Sequence, residues 1–302
     1  MKKIPFIFAS IIACMTLVSC SQEEQEQQVQ VVNAPQQQYT SVEELTAQLK
    51  VYNSQFMTTQ QPVKKIKVLG QKISLLDCLK IAIADVKGGM AGYKEGGTSQ
   101  AIISACVASA VKLVEILDNK MAKIEKVKPQ EGLLKSNGTI SYNDSIGFYH
   151  MDSEKKLYEL YGNKIKSTTT KDLLQRSHNF MRQTSAGYVA NNTFSMLTLR
   201  NTTGALNGLR HISDNADIPY SEYYAKVRAL SPSDGEYLDF ASEYIYTTLM
   251  GNVGDIKEYT NNVLRQIDNS NATGEDKKIL AQCIYIAHSS LVFSSSTETV
   301  EQ

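Results

Sequence analysis

The spacing of hydrophobic residues gives the first indication of the fold. From Thr40 onward, hydrophobic side chains recur every three or four positions, as they do along the buried face of an α-helix. No stretch of five or more residues alternates between hydrophobic and polar side chains, the pattern of a half-buried β-strand. The spacing therefore predicts an all-α fold, an irregular multi-helix bundle with an N-terminal glycine-rich helical hairpin.

The first predicted helix begins at a capping box, Ser41-Val42-Glu43-Glu44, and runs to about Met57. A linker follows over 58–65, and the hairpin is predicted over about 72–128. Small residues at steps of four form one face of its first arm, at Ala84, Gly88, Gly92 and Gly96. The second arm, after Gly96-Gly97, has a small face at Ala101, Ser104, Ala105 and Ala108. Because small side chains let two backbones approach closely, we expect the two faces to pack together.

A helical body is predicted over about 143–294, in the same single domain, 40–302, as the hairpin. Its helices are expected near 144–161, 169–184, 186–199, 204–212, 220–229, 233–250, 253–268 and 275–293. Ser233-Asp234-Gly235-Glu236 is a second capping box, and Thr273 starts the last helix.

The N-terminus has the features of a secretion signal. Lys2 and Lys3 precede an apolar run from Ile4 to Val18 that is too short for a permanent membrane span. The run ends in Leu17-Val18-Ser19-Cys20, which resembles the bacterial lipobox. The resemblance implies that residues 1–19 are a lipoprotein signal peptide and that Cys20 carries the lipid, which anchors the chain to a membrane. An uncleaved anchor and an ordinary signal peptide are the alternatives.

Residues 20–39 form a polar, acidic tether that has too few apolar residues to build a core. Its start resembles the acidic export signal of Bacteroidetes lipoproteins, at Ser21, Gln22, Glu23, Glu24 and Glu26. That resemblance implies an outer-membrane lipoprotein facing the cell exterior. A plain linker, with the protein facing the periplasm, is the alternative.

Composition narrows the classes of partner. The 302 residues include 31 basic and 31 acidic side chains, a balance that argues against nucleic acid as a partner. Cys78, Cys106 and Cys283 lie in apolar helical patterns, which favours buried thiols over a disulfide between two of them. Sixteen tyrosines and no tryptophan, with six tyrosines between Tyr220 and Tyr246, indicate either packing between helices or a surface for a protein or glycan partner.

Two segments carry recognisable motifs, Ala84-Asp85-Val86-Lys87-Gly88-Gly89-Met90-Ala91-Gly92 and Gly147-Phe148-Tyr149-His150. The first is similar to the glycine-zipper "ADxxGAxxG" hairpin of uncharacterised Bacteroidetes lipoproteins, and the second to their "GxxHN" helix. Gly89-Met90 interrupts the first pattern, and Met151 replaces the asparagine of the second. The resemblance implies an all-helical fold and no activity.

Asp144-Ser145-Ile146 resembles the sequence that Bacteroidetes glycosylate on secreted proteins, which makes Ser145 a glycosylation candidate. A chance match of three residues is the alternative.

No catalytic residues are predicted. Ser153-Glu154-Lys155-Lys156 and Ser213-Asp214-Asn215 match two motifs of penicillin-recognising enzymes, but the Lys-Thr-Gly that this chemistry requires is missing. None of the four histidines has the spacing of a helical metal pair, and the surroundings of His150 only approximate the Gly-x-His-x-x-Glu of imelysin-like lipoproteins. We therefore predict no metal and no cofactor.

These features favour a lipid-anchored, non-enzymatic protein that binds a partner or serves envelope architecture. The first alternative is a membrane-active, toxin-like protein that inserts its glycine-zipper hairpin; the eight charged residues between Asp77 and Glu115 argue against it. An unrecognised hydrolase is the second alternative.

Overall fold

The computed structural model describes residues 40–57, 65–68, 71–117, 145–184, 200–213 and 218–295. The helices are α1 (Val42–Asn53), α2 (Leu75–Leu117), α3 (Ser145–Tyr161), α4 (Thr170–Thr184), α5 (Arg200–Ser213), α6 (Tyr220–Ala229), α7 (Gly235–Met250), α8 (Ile256–Asn269) and α9 (Gly274–Ser295). Short 3-10 turns are Gly162–Lys166 and Pro232–Asp234. The fold class is all-α, as the hydrophobic spacing predicts.

A small β-hairpin accompanies the helices of the described residues. Strands β1 (Lys65–Val68) and β2 (Gln71–Ser74) pair antiparallel, with Ile66 opposite Ile73. Each strand has only four residues, so neither reaches the five-residue alternation that sequence reasoning requires. The predicted linker over 58–65 therefore overlaps β1, and the predicted start of the hairpin at 72 lies inside β2.

Helix α2 forms the centre of the fold, and α3, α5, α7 and α9 pack around it. It consists of two arms that meet at Gly96 and Gly97, whose backbone angles are not helical. Gly97 has φ +65°, a left-handed conformation that favours glycine. The turn lies where the sequence predicts it, and the second arm is described as far as Leu117.

Most of the predicted helices are present, with ends that shift by a few residues. The Ser41–Glu44 capping box starts α1, although α1 ends at Asn53 and not near Met57. The helix predicted over 186–199 lies outside the described residues. The capping box predicted at Ser233–Glu236 is wrong: Asp234 caps α7 without a side-chain hydrogen bond, because its carboxylate pairs with two lysines instead.

Several tyrosines and three cysteines of the described residues are buried between helices. Tyr223 and Tyr244 are completely buried, and Tyr244 stacks on Tyr259 with ring centroids 5.5 Å apart. Tyr246 is 38% exposed. All three cysteines outside the N-terminal segment are buried thiols with no disulfide, as predicted: Cys78, Cys106 and Cys283.

Candidate functional site

The glycine face of the first arm of α2 lies directly against the second arm. A Cβ atom added to Gly88 would lie 2.8 Å from the Cβ of Ala108, and one added to Gly92 would lie 2.3 Å from the backbone oxygen of Gln100. Real Cβ atoms do not approach so closely, so only glycine fits at these two positions. The predicted small faces meet at Gly88 and Gly92, whereas Gly96 belongs to the turn.

Three ionisable side chains meet inside the body, and we call them the buried acid centre: Asp85 of α2 with His150 and Glu154 of α3. Each has 0% of its surface exposed. His150 Nε2 lies 3.6 Å from Asp85 Oδ2. Ser109 donates a 2.7 Å hydrogen bond to Glu154 Oε1, and Ser289 Oγ lies 3.2 Å from His150 Nδ1. Helices α2, α3 and α9 therefore all contribute to one polar cluster.

The buried acid centre holds its acids in the protonated form. Burial raises the pKa of Glu154 to about 8, although the hydrogen bond from Ser109 acts to lower it. Burial, followed by the charge of Glu154, raises the pKa of Asp85 well above its usual range. Burial also lowers the pKa of His150 to about 4. At neutral pH the centre is thus close to uncharged, which is how a low-dielectric interior tolerates such groups.

The buried acid centre is closed to solvent. Among the described residues, no group hydrogen-bonds to Glu154 Oε2 or to His150 Nε2. With no exposed surface on any of the three side chains, a substrate does not reach them in this conformation. The centre therefore acts on the stability of the fold and its dependence on pH.

A buried ion pair joins the hairpin to the start of α7. Lys87 Nζ lies 2.9 Å from Asp234 Oδ2, and Lys94 pairs with the other carboxylate oxygen. Burial would raise the pKa of Asp234, but hydrogen bonds from Lys94 and Lys87, together with their charges, outweigh it and lower the pKa. Burial lowers the pKa of Lys87, while the hydrogen bond and the charge of Asp234 act to raise it. Separation of Lys87 from Asp234 would leave a buried charge without a counter-ion, which is energetically costly. The ion pair therefore stabilises the contact between the hairpin and the start of α7.

An open groove of about 440 Å³ lies beside this ion pair. The hairpin supplies Lys94, α5 supplies Arg200 and Gly204, and the connection between α6 and α7 supplies Ser231, Ser233 and Asp234. Asp234 is 2% exposed and neutralised by the lysines, whereas the side chain of Lys94 is 46% exposed. The groove therefore presents two cations and two hydroxyl groups to solvent.

The predicted site residues fall into three groups. The lipidation and export residues lie outside the described residues: Cys20, Ser21, Gln22, Glu23, Glu24 and Glu26. Ser145 is the first residue of α3. Of the small face, Ala84, Ala101, Ala105 and Ala108 are buried.

The two motifs of the lipoprotein resemblance meet in space. Asp85 comes from the first motif and His150 from the second, and both belong to the buried acid centre. Sequence reasoning missed the groove and the role of Glu154. Asp234 lies in a sequence that is typical of a helix cap, so its pairing with two lysines had no signal in the sequence.

Comparison of the chain with protein-family models, with curated proteins and with solved structures gives no match. Within the described residues, no group of three or more histidine, cysteine, aspartate or glutamate side chains is arranged to hold a metal ion. One helical segment of the described chain, Leu75–Ile116, is long and apolar enough to cross a membrane, but 89% of its most apolar stretch is buried in the body. The core helix of a soluble protein has the same features.

Proposed function

We propose that this protein is an outer-membrane lipoprotein, anchored through Cys20 and facing the cell exterior, whose helical body binds a partner without catalysis. The observation that carries the binding function is the open groove beside the Lys87–Asp234 pair. Its volume falls within the range of ordinary ligand sites, about 300–1,000 Å³. The partner is a protein or a glycan; nucleic acid is disfavoured by the charge balance.

The anchor is tested by Cys20→Ala in the native host, with Cys14→Ala as the matched control inside the signal segment. The Cys20 variant should lose labelling by a clickable fatty acid and remain unprocessed, while the control keeps both. Labelling of Cys20→Ala at the level of the unmodified chain would refute the anchor.

Surface display is tested by replacing Glu23, Glu24 and Glu26 together with alanine. We expect the variant to resist protease added to intact cells, because the export signal is lost. Unchanged digestion would show that the acidic stretch is only a linker.

A second candidate function is membrane activity of the hairpin, favoured by the length and apolar character of Leu75–Ile116. Insertion would have to separate Lys87 from Asp234, so the ion pair opposes it. Dye release from liposomes at neutral pH distinguishes the two functions. We expect none from the unmodified chain, and release that Gly92→Leu abolishes would favour membrane activity over the binding function.

A further inference from the structure

We infer that the open groove binds a small organic anion, a sugar-sized molecule with a carboxylate or phosphate group, between Lys94 and Arg200. The inference rests on the proposed binding function and names the chemistry of its ligand. It follows from the charges that line the groove, from its serine hydroxyl groups and from the open space beside Gly204.

The cations on the two sides of the groove differ in how they are held. Lys94 is fixed by Asp234, which also binds the buried Lys87, so two lysines share one carboxylate and a positive charge is left over. Arg200 is exposed at the start of α5, and none of the described acidic side chains pairs with it. A guanidinium binds a carboxylate or phosphate through two parallel hydrogen bonds.

Hydroxyl groups complete the polar lining of the groove. Ser233 Oγ lies 3.3 Å from Asp234 Oδ1, on the same connection as Ser231. Hydroxyl groups both donate and accept hydrogen bonds, so they suit the hydroxyls of a sugar ring. The cations bind the acidic group, and the serines bind the remainder of the ligand.

Gly204 allows the groove to be blocked without disturbing the fold. A Cβ atom added to Gly204 would meet no atom within 4 Å, so a larger side chain there enters open space. Gly208, one turn later on α5, would instead contact Leu230 at 2.6 Å. Because glycine is a poor helix former, Gly204→Leu should not lower the melting temperature.

The experiment is titration calorimetry of the full chain in detergent at low salt, with glucuronate, glucose 6-phosphate and glucose as probes. All three probes have the same sugar ring. Glucuronate carries a carboxylate, glucose 6-phosphate carries a phosphate, and glucose is uncharged. We expect at least one acidic probe to bind about tenfold or more tightly than glucose, as a charge-assisted hydrogen bond implies. Either acidic probe supports the inference, and their ratio separates carboxylate from phosphate.

Two variants locate the binding. Gly204→Leu should abolish binding of the acidic probe, and Arg200→Gln should weaken it about tenfold or more. Arg265→Gln, an exposed arginine on α8, is the matched control and should change nothing. Equal melting temperatures show that the variants are folded.

Each other outcome overturns the inference. No binding of either acidic probe, or binding that both variants leave unchanged, excludes an anion site in the groove. Equal binding of glucose, blocked by Gly204→Leu but not by Arg200→Gln, would show a neutral ligand, and the proposed binding function would stand. Labelling of Cys20→Ala at the level of the unmodified chain would instead count against the proposed function alone.

Discussion

Glu154→Gln should reduce the loss of folding stability that the protein shows as pH rises toward 8. Glutamine keeps the shape of the protonated acid and can still accept the 2.7 Å hydrogen bond from Ser109, but it cannot ionise. The raised pKa of Glu154 means that the folded chain keeps a proton that the unfolded chain releases. The stability contributed by that proton is complete below about pH 4.5 and is lost as pH rises toward 8.

The size of the effect follows from proton linkage. One proton held by the folded state changes the free energy of unfolding by about 1.4 kcal/mol per pH unit. Between pH 6.5 and 8, with flattening near the pKa, Glu154 should account for a loss of about 1.5 kcal/mol. Burial lowers the pKa values of His150 and His288 to about 4, so each adds about 0.4 kcal/mol of stability as pH rises from 6.5 to 8, equally in the unmodified chain and in Glu154→Gln.

Urea unfolding of the full chain, followed by circular dichroism at pH 6.5, 7.25 and 8, measures the effect. The unmodified chain should lose stability across the window, and Glu154→Gln should lose about 1.5 kcal/mol less. Glu159→Gln is the control, since Glu159 lies on the same helix with a 55% exposed side chain, and it should keep the original slope. An unchanged slope in Glu154→Gln would refute the protonated state of the buried acid centre.

Three further results are expected. Gly92→Leu should lower the melting temperature markedly, with an overpacking cost of about 1 to 3 kcal/mol or more, because its Cβ would lie 2.3 Å from the Gln100 oxygen; an unchanged melting temperature would mean that the arms do not pack there. Asp234→Asn should cost about 3 to 5 kcal/mol in chemical denaturation, because Lys87 remains buried without its counter-ion. Ser145→Ala should lower the intact mass of the native protein by one glycan, and an equal mass, apart from the substitution, would exclude modification at that residue.

Local signals were sufficient to predict the main helices. The Ser41–Glu44 capping box and the Thr273 hydroxyl, which accepts from the Asp276 backbone N–H at 3.1 Å, each act within one helical turn. The turn at Gly96–Gly97 also depends on adjacent residues, since only glycine adopts φ +65° readily. The β-hairpin was missed because four residues are too few to reveal a period of two.

The buried acid centre could not be predicted, because Asp85 lies far along the chain from His150 and Glu154. Asp85 and Glu154 are both charged residues in helical patterns, and the sequence gives each of them the appearance of a solvated side chain. Only the packing of α3 and α9 on the hairpin removes water from both. Asp234 is a similar case, because its capping position hid a pairing with lysines about 140 residues earlier.

The charges on the hairpin explain why it is better suited to form a core than to enter a membrane. Lys112 lies 3.6 Å from Glu115 on the same arm, so that pair would move together. Lys87 depends on Asp234 of another segment, and an unpaired lysine at the centre of a bilayer costs about 2.5 to 3.5 kcal/mol or more. Burial in the body, followed by the charge of Glu154, raises the pKa of Asp85 well above its usual range. Withdrawal of the hairpin would therefore expose Asp85 and separate Lys87 from its counter-ion at once, and both changes favour the packed state.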